Sequence, residues 1–417
     1  MSENHECRCS LCGKNPDEVR KILGIKSDFY ICDQCIELCQ EILEEELEDE
    51  EDTKSDEAKL TLKTLPKPKE IKDYLDDYII GQHEAKKVIS TAVYNHYKRV
   101  LYNEKNNNKE KTEIKKSNIL LIGPTGVGKT LIAETIAKKL NVPFAIADAT
   151  VLTQSGYVGS DPSSILTKLL KNANMDIEKA QRGIVYIDEI DKLARKGENP
   201  SLTRDVGGES VQQELLKMLE GDMVEVPLGG GRKHPLENNV TMDTRNVLFI
   251  IGGSFEGLDK QVAARNNKKS IGFGSSSDKK VETEEDKLDI FKDVRHTDLI
   301  KFGMLPEFMG RVPVIARLTN LNTEDMVKIL VEPKNSIVKQ YTELFAIDNI
   351  ETVFEHDAMI LMAEEVMKQK IGARGLRTLM ESILQDAMYE LPSTDVEKLI
   401  INEELVKEKL KIEDDIA

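Results

Sequence analysis

Residues 118–130, NILLIGPTGVGKT, leave few choices of fold for the part of the chain that contains them. Four apolar residues at 119–122 predict a short buried strand, and LIAETIAKKL at 131–140 has the composition of a helix. Between them, Gly123 to Thr130 match the pattern G-x-x-x-x-G-K-[ST]. The glycines let backbone N–H groups face phosphates, and the N-terminus of the helix adds its dipole. This order predicts an α/β domain, with a parallel sheet, that binds a nucleoside triphosphate.

Two side chains of the loop have expected ligands of their own. Lys129 is placed to reach the β- and γ-phosphates of ATP, and Thr130 is placed to bind Mg²⁺. The predicted nucleotide-binding residues of this stretch are Gly123, Pro124, Thr125, Gly126, Val127, Gly128, Lys129, Thr130 and Leu131.

A second motif, GIVYIDEIDKL at 183–193, supplies acidic groups. Its apolar residues predict a buried strand that ends at Asp188 and Glu189. We expect Asp188 to hold Mg²⁺ through water and Glu189 to polarise the attacking water. Adjacent carboxylates are often only a surface feature, but after a buried strand and downstream of a phosphate-binding loop they indicate ATP hydrolysis. A third apolar run, VLFIIGGSF at 247–255, predicts another core strand.

All six cysteines precede residue 40, and four of them form the pairs CSLC (9–12) and CDQC (32–35). The spacing C-x2-C-x19-C-x2-C is typical of a four-thiolate zinc site, because each pair places two thiolates on one tight turn. The predicted ligands are Cys9, Cys12, Cys32 and Cys35. Two disulfides are the alternative, which a reducing cytosol disfavours. Of the two cysteines left over, Cys7 is the better substitute ligand, whereas Cys39 is expected to pack.

Charge and hydropathy narrow the class of protein. The net charge of −17 argues against a chain that mainly coats nucleic acid. Eleven acids and one lysine fall in residues 41–57, which is typical of a solvated acidic segment. No apolar run approaches the roughly 18 residues of a membrane span, and MSENHECRCSLCG lacks the apolar core of a secretion signal. We expect a cytoplasmic protein with no membrane or nucleic-acid partner.

Together the motifs resemble those of the ClpX family of AAA+ ATPases along nearly the whole chain. Besides the four cysteines and the two nucleotide motifs, the matching stretches are YIIGQHEAKKVISTAVYNHYKR (78–99), GYVG (156–159), RDVGGESVQQELLKMLEG (204–221), GGGRKHP (229–235), SIGFG (270–274), LPEFMGRVPV (305–314) and GARGLR (372–377). The resemblance implies an α/β AAA+ P-loop domain, a zinc module before it and a mainly helical small domain after it. It also implies an ATP-dependent unfoldase, without peptidase activity of its own, that pulls tagged proteins through an axial pore and delivers them to the ClpP peptidase.

The resemblance assigns residues that spacing alone leaves open. Arg311 would be the arginine finger that acts on the ATP of the next subunit, and Arg374 would reach the nucleotide from the small domain. The adenine pocket would be lined by the stretch YII, which is Tyr78, Ile79 and Ile80. A finger that acts between subunits implies a ring, which for this family is a homohexamer. The third strand ends in GGS rather than in the asparagine of many AAA+ proteins, so Ser254 is not assigned to the site.

The same resemblance implies three kinds of loop that contact other proteins. The GYVG loop would grip an unfolded chain in the pore, although these residues alone also fit an ordinary turn. RDVGG would form a second pore loop, and RKH a basic loop at the channel entrance. The IGF tripeptide would dock on ClpP, whereas a purely structural account packs it on its own domain. The residues concerned are Tyr157, Val158, Arg204, Arg232, Lys233, His234, Ile271, Gly272 and Phe273.

Composition sets the predicted domain boundaries. Residues 1–45 form the zinc-binding module and 46–65 the acidic linker. Residues 66–317 form the large ATPase domain, and 318–417 the small helical domain with a short strand near VEKLIIN. A module of about 45 residues buries little core, so zinc is expected to supply its folding free energy.

Two other functions compete with this prediction. A nucleic-acid-acting AAA+ protein would use the cysteine module as a DNA-binding finger, and it would need a basic face. A remodelling chaperone would work without a peptidase, which the SIGFG stretch disfavours. Adaptor proteins are expected partners, but the sequence does not identify the substrates or the tags.

Overall fold

The chain folds as two units, Met1–Thr61 and Leu62–Ala417. The structure, a computed structural model, describes residues 8–26, 29–39, 60–105, 112, 114–154, 160–195, 208–228, 239–268 and 293–411. No helix among these residues is both long enough and apolar enough to cross a lipid bilayer.

A two-stranded hairpin organises the N-terminal unit. Strand β1 (Ile22–Lys26) pairs antiparallel with β2 (Phe29–Cys32), and a helical segment follows at 33–39. The buried residues of its hydrophobic cluster are Cys9, Ile31, Cys32 and Cys35. Because three of these four residues are cysteines, apolar packing alone contributes little to the stability of this unit.

The second unit is built on a parallel sheet. Its strands are β3 (Ile119–Ile122), β4 (Phe144–Asp148), β5 (Ile184–Asp188), β6 (Met223–Pro227), β7 (Asn239–Asp243), β8 (Leu248–Gly253), β9 (Val314–Arg317), β10 (Glu351–Phe354) and β11 (Lys398–Ile401). Five of them form the central sheet in the order β4-β5-β8-β3-β9, with every pair parallel. Every residue of β3 and β8 is buried, which explains why these strands are continuous apolar runs in the sequence.

Helices cover this sheet. In chain order, the helices of the whole second unit are α1 (Pro68–Asp76), α2 (His83–Lys105), α3 (Lys129–Leu140), α4 (Ser164–Asn172), α5 (Ile177–Gln181), α6 (Glu209–Glu220), α7 (Leu258–Lys268), α8 (His296–Phe302), α9 (Pro306–Gly310), α10 (Thr323–Val331), α11 (Ile337–Ile347), α12 (His356–Gln369), α13 (Arg374–Glu390) and α14 (Glu403–Leu410). Helix α2 packs against β9, α3 against β5 and β8, and α4 against β4. The loops that follow β3, β5 and β8 meet at the carboxyl edge of the sheet, where ligands bind in folds of this kind.

The part of the chain after β9 is mainly helical, as the sequence predicts. This part contains helices α10 to α14 and a parallel pair of strands, β10 and β11, and α11 packs against β10. Strand β11 is the short strand predicted near VEKLIIN, and its partner β10 has no clear signal in the sequence. The antiparallel hairpin of β6 and β7 was likewise not predicted.

Candidate nucleotide-binding site and zinc centre

A cavity of about 610 Å³ opens at the carboxyl edge of the central sheet. Its walls come from the glycine-rich loop, the end of β5, residues 78–80 and segments beyond residue 320. The predicted site residues that line it are Tyr78, Ile79, Ile80, Thr125, Gly126, Val127, Gly128, Lys129, Thr130, Leu131, Asp188, Glu189 and Arg374. Gly123 and Pro124 are not among the lining residues, but their carbonyl groups bind the side chain of Lys129.

The glycine-rich loop turns sharply between β3 and α3. Gly126 and Gly128 have φ values of +79° and +95°, which favour glycine. The Nζ atom of Lys129 donates to the carbonyl oxygens of Gly123 at 2.6 Å and Pro124 at 2.7 Å. Burial lowers the pKa of Lys129, and the charge of Asp188 acts in the opposite direction. The ammonium group therefore lies inside the loop, at the N-terminus of α3.

Asp188 is held by three hydrogen bonds at the end of β5. Its Oδ2 atom accepts from the hydroxyl of Thr130 at 3.1 Å, and its Oδ1 atom accepts from the hydroxyl of Tyr186 at 3.0 Å. The backbone N–H of Glu189 donates to the same Oδ1 atom at 2.9 Å. Thr130 and Asp188 thus place two oxygen ligands side by side, which suits Mg²⁺. Glu189 is exposed beside them and has a φ of +56°, an uncommon value outside glycine.

Ser254 belongs to this site although sequence reasoning left it out. It lines the cavity directly after β8, and its hydroxyl donates to Oδ2 of Asp191 at 3.0 Å. Its backbone N–H donates to Oδ1 of the same carboxylate at 3.0 Å. A polar residue at the carboxyl end of a parallel strand was the signal that could have found it. The other lining residues that were not predicted include Glu134, Lys192, Glu256, Gln340 and Arg377.

The glycine-rich loop touches the segment that carries Arg374. The backbone N–H of Ala373 donates to the carbonyl of Gly126 at 3.1 Å. A Cβ atom on Gly372 would lie 2.9 Å from the Cα of Gly126 and 2.6 Å from the carbonyl oxygen of Thr125. Two glycines facing each other thus allow this close approach, and they bring Arg374 to the cavity. We call the contact of residues 125–126 with 371–373 the glycine seam.

Residues 77–82 are fastened on two sides. The Nζ atom of Lys86 donates to Oδ1 of Asp76 at 2.7 Å and also to the carbonyl of Ile79. The side-chain amide of Gln82 donates to the carbonyl of Thr319 at 2.8 Å and accepts from the N–H of Thr319 at 2.8 Å. The wall formed by Ile79 and Ile80 is therefore coupled to the connection between β9 and α10.

Arg311 lies away from the cavity of its own chain. It follows α9, and about half of its side chain is exposed. Its Nε and Nη2 atoms bind Oε1 of Glu220 at 2.9 and 2.8 Å. The loop residues predicted to contact other proteins lie outside the described part of the chain: Tyr157, Val158, Arg204, Arg232, Lys233, His234, Ile271, Gly272 and Phe273.

The four predicted zinc ligands come together in the N-terminal unit. The Sγ atoms of Cys9, Cys12, Cys32 and Cys35 all lie within 4.8 Å of one another. These four cysteines and Cys39 are free thiols, which rules out the disulfide alternative for the described residues. Cys39 is exposed, so the prediction that it packs is wrong, and Cys7 lies outside the described residues.

The thiols of this cluster ionise unequally. Backbone N–H groups, that of Cys12 above all, lower the pKa of Cys9 to about 6. The neighbouring thiol of Cys12 and burial raise the pKa of Cys35. Four thiols at this separation fit a tetrahedral zinc ion, whose charge favours the thiolate form at each ligand.

Comparison with known proteins identifies the family and its domains. Family models match the ClpX C4-type zinc finger at residues 7–45, the AAA domain (Cdc48 subfamily) at 114–315, and the C-terminal, D2-small domain of ClpB protein at 321–399. The chain is 47% identical over 413 residues to the ATP-dependent Clp protease ATP-binding subunit ClpX of Treponema denticola, which covers 98% of this chain and 97% of the relative. It is 49% identical over 400 residues to the protein of that name from Borrelia duttonii, covering 95% of this chain and 90% of the relative.

The chain belongs to the ClpX family. As a ClpX-family ATP-binding subunit with an AAA ATPase domain, it uses ATP and Mg²⁺, and its C4 module binds Zn²⁺. The donor sets fit these cofactors: the cysteine cluster fits zinc, and Thr130 with Asp188 fits Mg²⁺ next to a phosphate-binding loop. The predicted fold class, an α/β AAA+ domain with a zinc module and a helical small domain, is confirmed.

Proposed function

We propose that this chain is an ATP-dependent protein unfoldase and translocase that delivers tagged proteins to a ClpP peptidase. The observation that supports this most strongly is the composition of the cavity wall, which combines Lys129 and Asp188 with Arg374 and Gln340 from beyond β9. A nucleotide bound there contacts the sheet domain and the helical part after β9 at once. Binding and loss of ATP therefore change how the helical part sits on the sheet domain, which is what a motor requires.

Hydrolysis is assigned to residues around that nucleotide. Thr130 and Asp188 hold Mg²⁺, which neutralises charge on the phosphates, and Glu189 orients the attacking water. Lys129 and Arg374 stabilise the negative charge that develops on the γ-phosphate. Arg311 lies outside the cavity of its own chain, so it acts on the nucleotide of a neighbour. This division of the site implies a closed ring, a homohexamer in this family.

The work on substrates is assigned to loops. Tyr157 and Val158 grip the translocating chain in the pore, and Arg204 contributes to a second pore loop. A basic loop at 232–234 attracts degradation tags, adaptor proteins present some substrates, and Ile271 to Phe273 dock on the peptidase. The chain itself cleaves no peptide bonds. Free cysteine thiols at a zinc site suit the reducing cytoplasm, where we place this activity.

The experiment is ATP-driven unfolding of a stably folded fluorescent protein that carries a C-terminal tag. Wild type should abolish the fluorescence, whereas Tyr157→Ala should hydrolyse ATP without unfolding the substrate. Glu189→Gln is the control that binds ATP and hydrolyses it poorly. With ClpP added, Phe273→Ala should unfold the substrate but leave it undegraded. Equal unfolding by wild type and Tyr157→Ala would contradict the assignment of the grip.

A further inference from the structure

A single buried amide connects the backbone of Arg311 to the end of α6. The Nδ2 atom of Asn118 donates to the carbonyl oxygen of Arg311 at 2.8 Å and to that of Leu219 at 3.2 Å. Asn118 is 1% exposed and directly precedes β3, the strand that leads into the glycine-rich loop. A buried amide in such a place stabilises one arrangement of the segments it joins. The backbone at Arg311 therefore has a fixed position relative to α6.

The side chain of Arg311 is directed by the last residue of α6. Both Nε and Nη2 of Arg311 bind the same oxygen, Oε1 of Glu220, at 2.9 and 2.8 Å. Two N–H groups on one oxygen restrict the rotation of the planar guanidinium more than one contact would. Both side chains remain partly exposed, at 51% and 39%, so the pair is a weak restraint and not a lock.

The end of α6 is itself well anchored. The Nζ atom of Lys116 donates to the carbonyl oxygens of Met218 at 3.3 Å and Thr244 at 2.9 Å. Burial lowers the pKa of Lys116 to about 7, so these two hydrogen bonds, and not a fixed charge, anchor the end of the helix. Gly221 then ends α6 with a φ of +98°. Glu220 is thus presented from a rigid support.

We propose that Glu220 is a positioning residue for Arg311: it holds the guanidinium extended at the surface, ready for the γ-phosphate of a neighbouring subunit. The inference rests on the proposed function in one respect, the action of Arg311 in trans. A phosphate carries more negative charge than Glu220 and accepts the same fork of N–H groups, so it displaces the carboxylate when the subunits meet. Because an exposed ion pair is weak, this exchange costs little free energy.

The test compares steady-state ATP hydrolysis by the full-length variants Glu220→Gln, Glu220→Asp and Glu225→Gln. Glu220→Gln should lower kcat by about three-fold, because the weakened pair leaves the guanidinium more rotamers. KM for ATP should not change, since Glu220 does not line the cavity. Glu220→Asp keeps the carboxylate and should restore part of kcat. Glu225→Gln removes a nearby exposed carboxylate of β6 and should behave as wild type.

A double-mutant cycle separates positioning from other effects. Adding Glu220→Gln to Arg311→Ala should not lower kcat any further. The rate of Glu189→Gln sets the baseline above which hydrolysis is measured. The positioning role would be overturned if Glu220→Gln lowered kcat by the same factor in wild type and in Arg311→Ala. It would also be overturned if Glu220→Gln alone left kcat unchanged or raised it. If Arg311→Ala itself hydrolyses ATP as wild type does, the trans-acting arginine is refuted and the inference falls with it. Substrate unfolding by wild type is measured separately, so the unfoldase assignment can stand when this inference fails.

Discussion

At the residue scale, the carboxylate of Asp188 depends on a hydroxyl buried behind it. Tyr186 is fully buried in β5, and its hydroxyl donates to Oδ1 of Asp188 at 3.0 Å. Burial raises the pKa of Tyr186, so the hydroxyl remains a donor throughout the neutral range. Gly252 makes room for it, because a Cβ atom there would overlap the Tyr186 hydroxyl. The carboxylate of Asp188 is thus held through Oδ1 from the interior of the sheet, which leaves Oδ2 beside the hydroxyl of Thr130.

Tyr186→Phe should weaken Mg²⁺ binding without unfolding the protein. Groups that orient a metal ligand typically contribute about ten-fold or more to metal affinity. We expect the Mg²⁺ concentration for half-maximal binding of a fluorescent ATP analogue to rise by about ten-fold. The Mg²⁺ concentration for half-maximal ATP hydrolysis should rise as well. Titration of the analogue with Mg²⁺ measures the first effect independently of turnover.

Tyr97→Phe is the matched control. Tyr97 is also buried, and its hydroxyl donates to the carbonyl of Arg182 at 3.0 Å, but it does not line the cavity. Both variants should lose about 1 kcal/mol of unfolding free energy, since each loses one buried hydrogen bond. Only Tyr186→Phe should change the response to Mg²⁺. Equal Mg²⁺ titrations for the two variants would show that Tyr186 is merely structural.

At the scale of structural elements, the glycine seam joins the phosphate-binding loop to the start of α13. Gly372→Ala should open it, because the new Cβ would lie 2.6 Å from the carbonyl oxygen of Thr125. Arg374 would then move away from the nucleotide, and ATP affinity should fall on the order of ten-fold, since small displacements of a positioned group have large effects. Equilibrium binding of a fluorescent ATP analogue measures this.

The control for this substitution is Gly257→Ala. Gly257 also has a positive φ, +88°, but nothing lies within 4 Å of a Cβ atom built there. Both substitutions carry the backbone strain of a left-handed residue, about 1–2 kcal/mol. Only Gly372→Ala, which opens the glycine seam, should lower the affinity for ATP. If Gly257→Ala weakens ATP binding as much as Gly372→Ala does, backbone strain and not the seam is the cause.

These elements also show which features a sequence can predict. Strands β3, β5 and β8, the glycine-rich loop and the cysteine pairs have signals within a few residues, since apolar runs and fixed spacings are local. The glycine seam and the pair of Gln82 with Thr319 join segments far apart in the chain, and no local pattern indicates them. The family resemblance assigned Arg374 to the nucleotide, but only the structure gives the contact that brings it there. Ser254 was left out because it stands where many AAA+ proteins have an asparagine, although its place after a core strand was a usable signal.

At the scale of the whole molecule, the two units have separate sources of stability. The described residues of the N-terminal unit form a cluster in which cysteines replace much of the apolar core, whereas the large cluster of the second unit spans its sheet and helices. Chelation of zinc should therefore unfold the first unit and leave the second folded, because metal binding supplies the folding free energy of such modules. Limited proteolysis of the full chain should then remove residues before about 62 and leave a fragment that still hydrolyses ATP.

Two cysteine variants make this prediction specific. Cys35→Ser removes a member of the thiol cluster and should behave as the chelated protein does, with the zinc content falling below one ion per chain. Cys39→Ser changes an exposed thiol outside the cluster and should retain the metal and the protease resistance of wild type. A loss of circular dichroism across the whole chain on chelation, or loss of ATPase activity in Cys35→Ser, would mean that the second unit depends on zinc as well. If most of the circular dichroism and the ATPase activity are retained and only the first unit is digested, the nucleotide site folds without the metal.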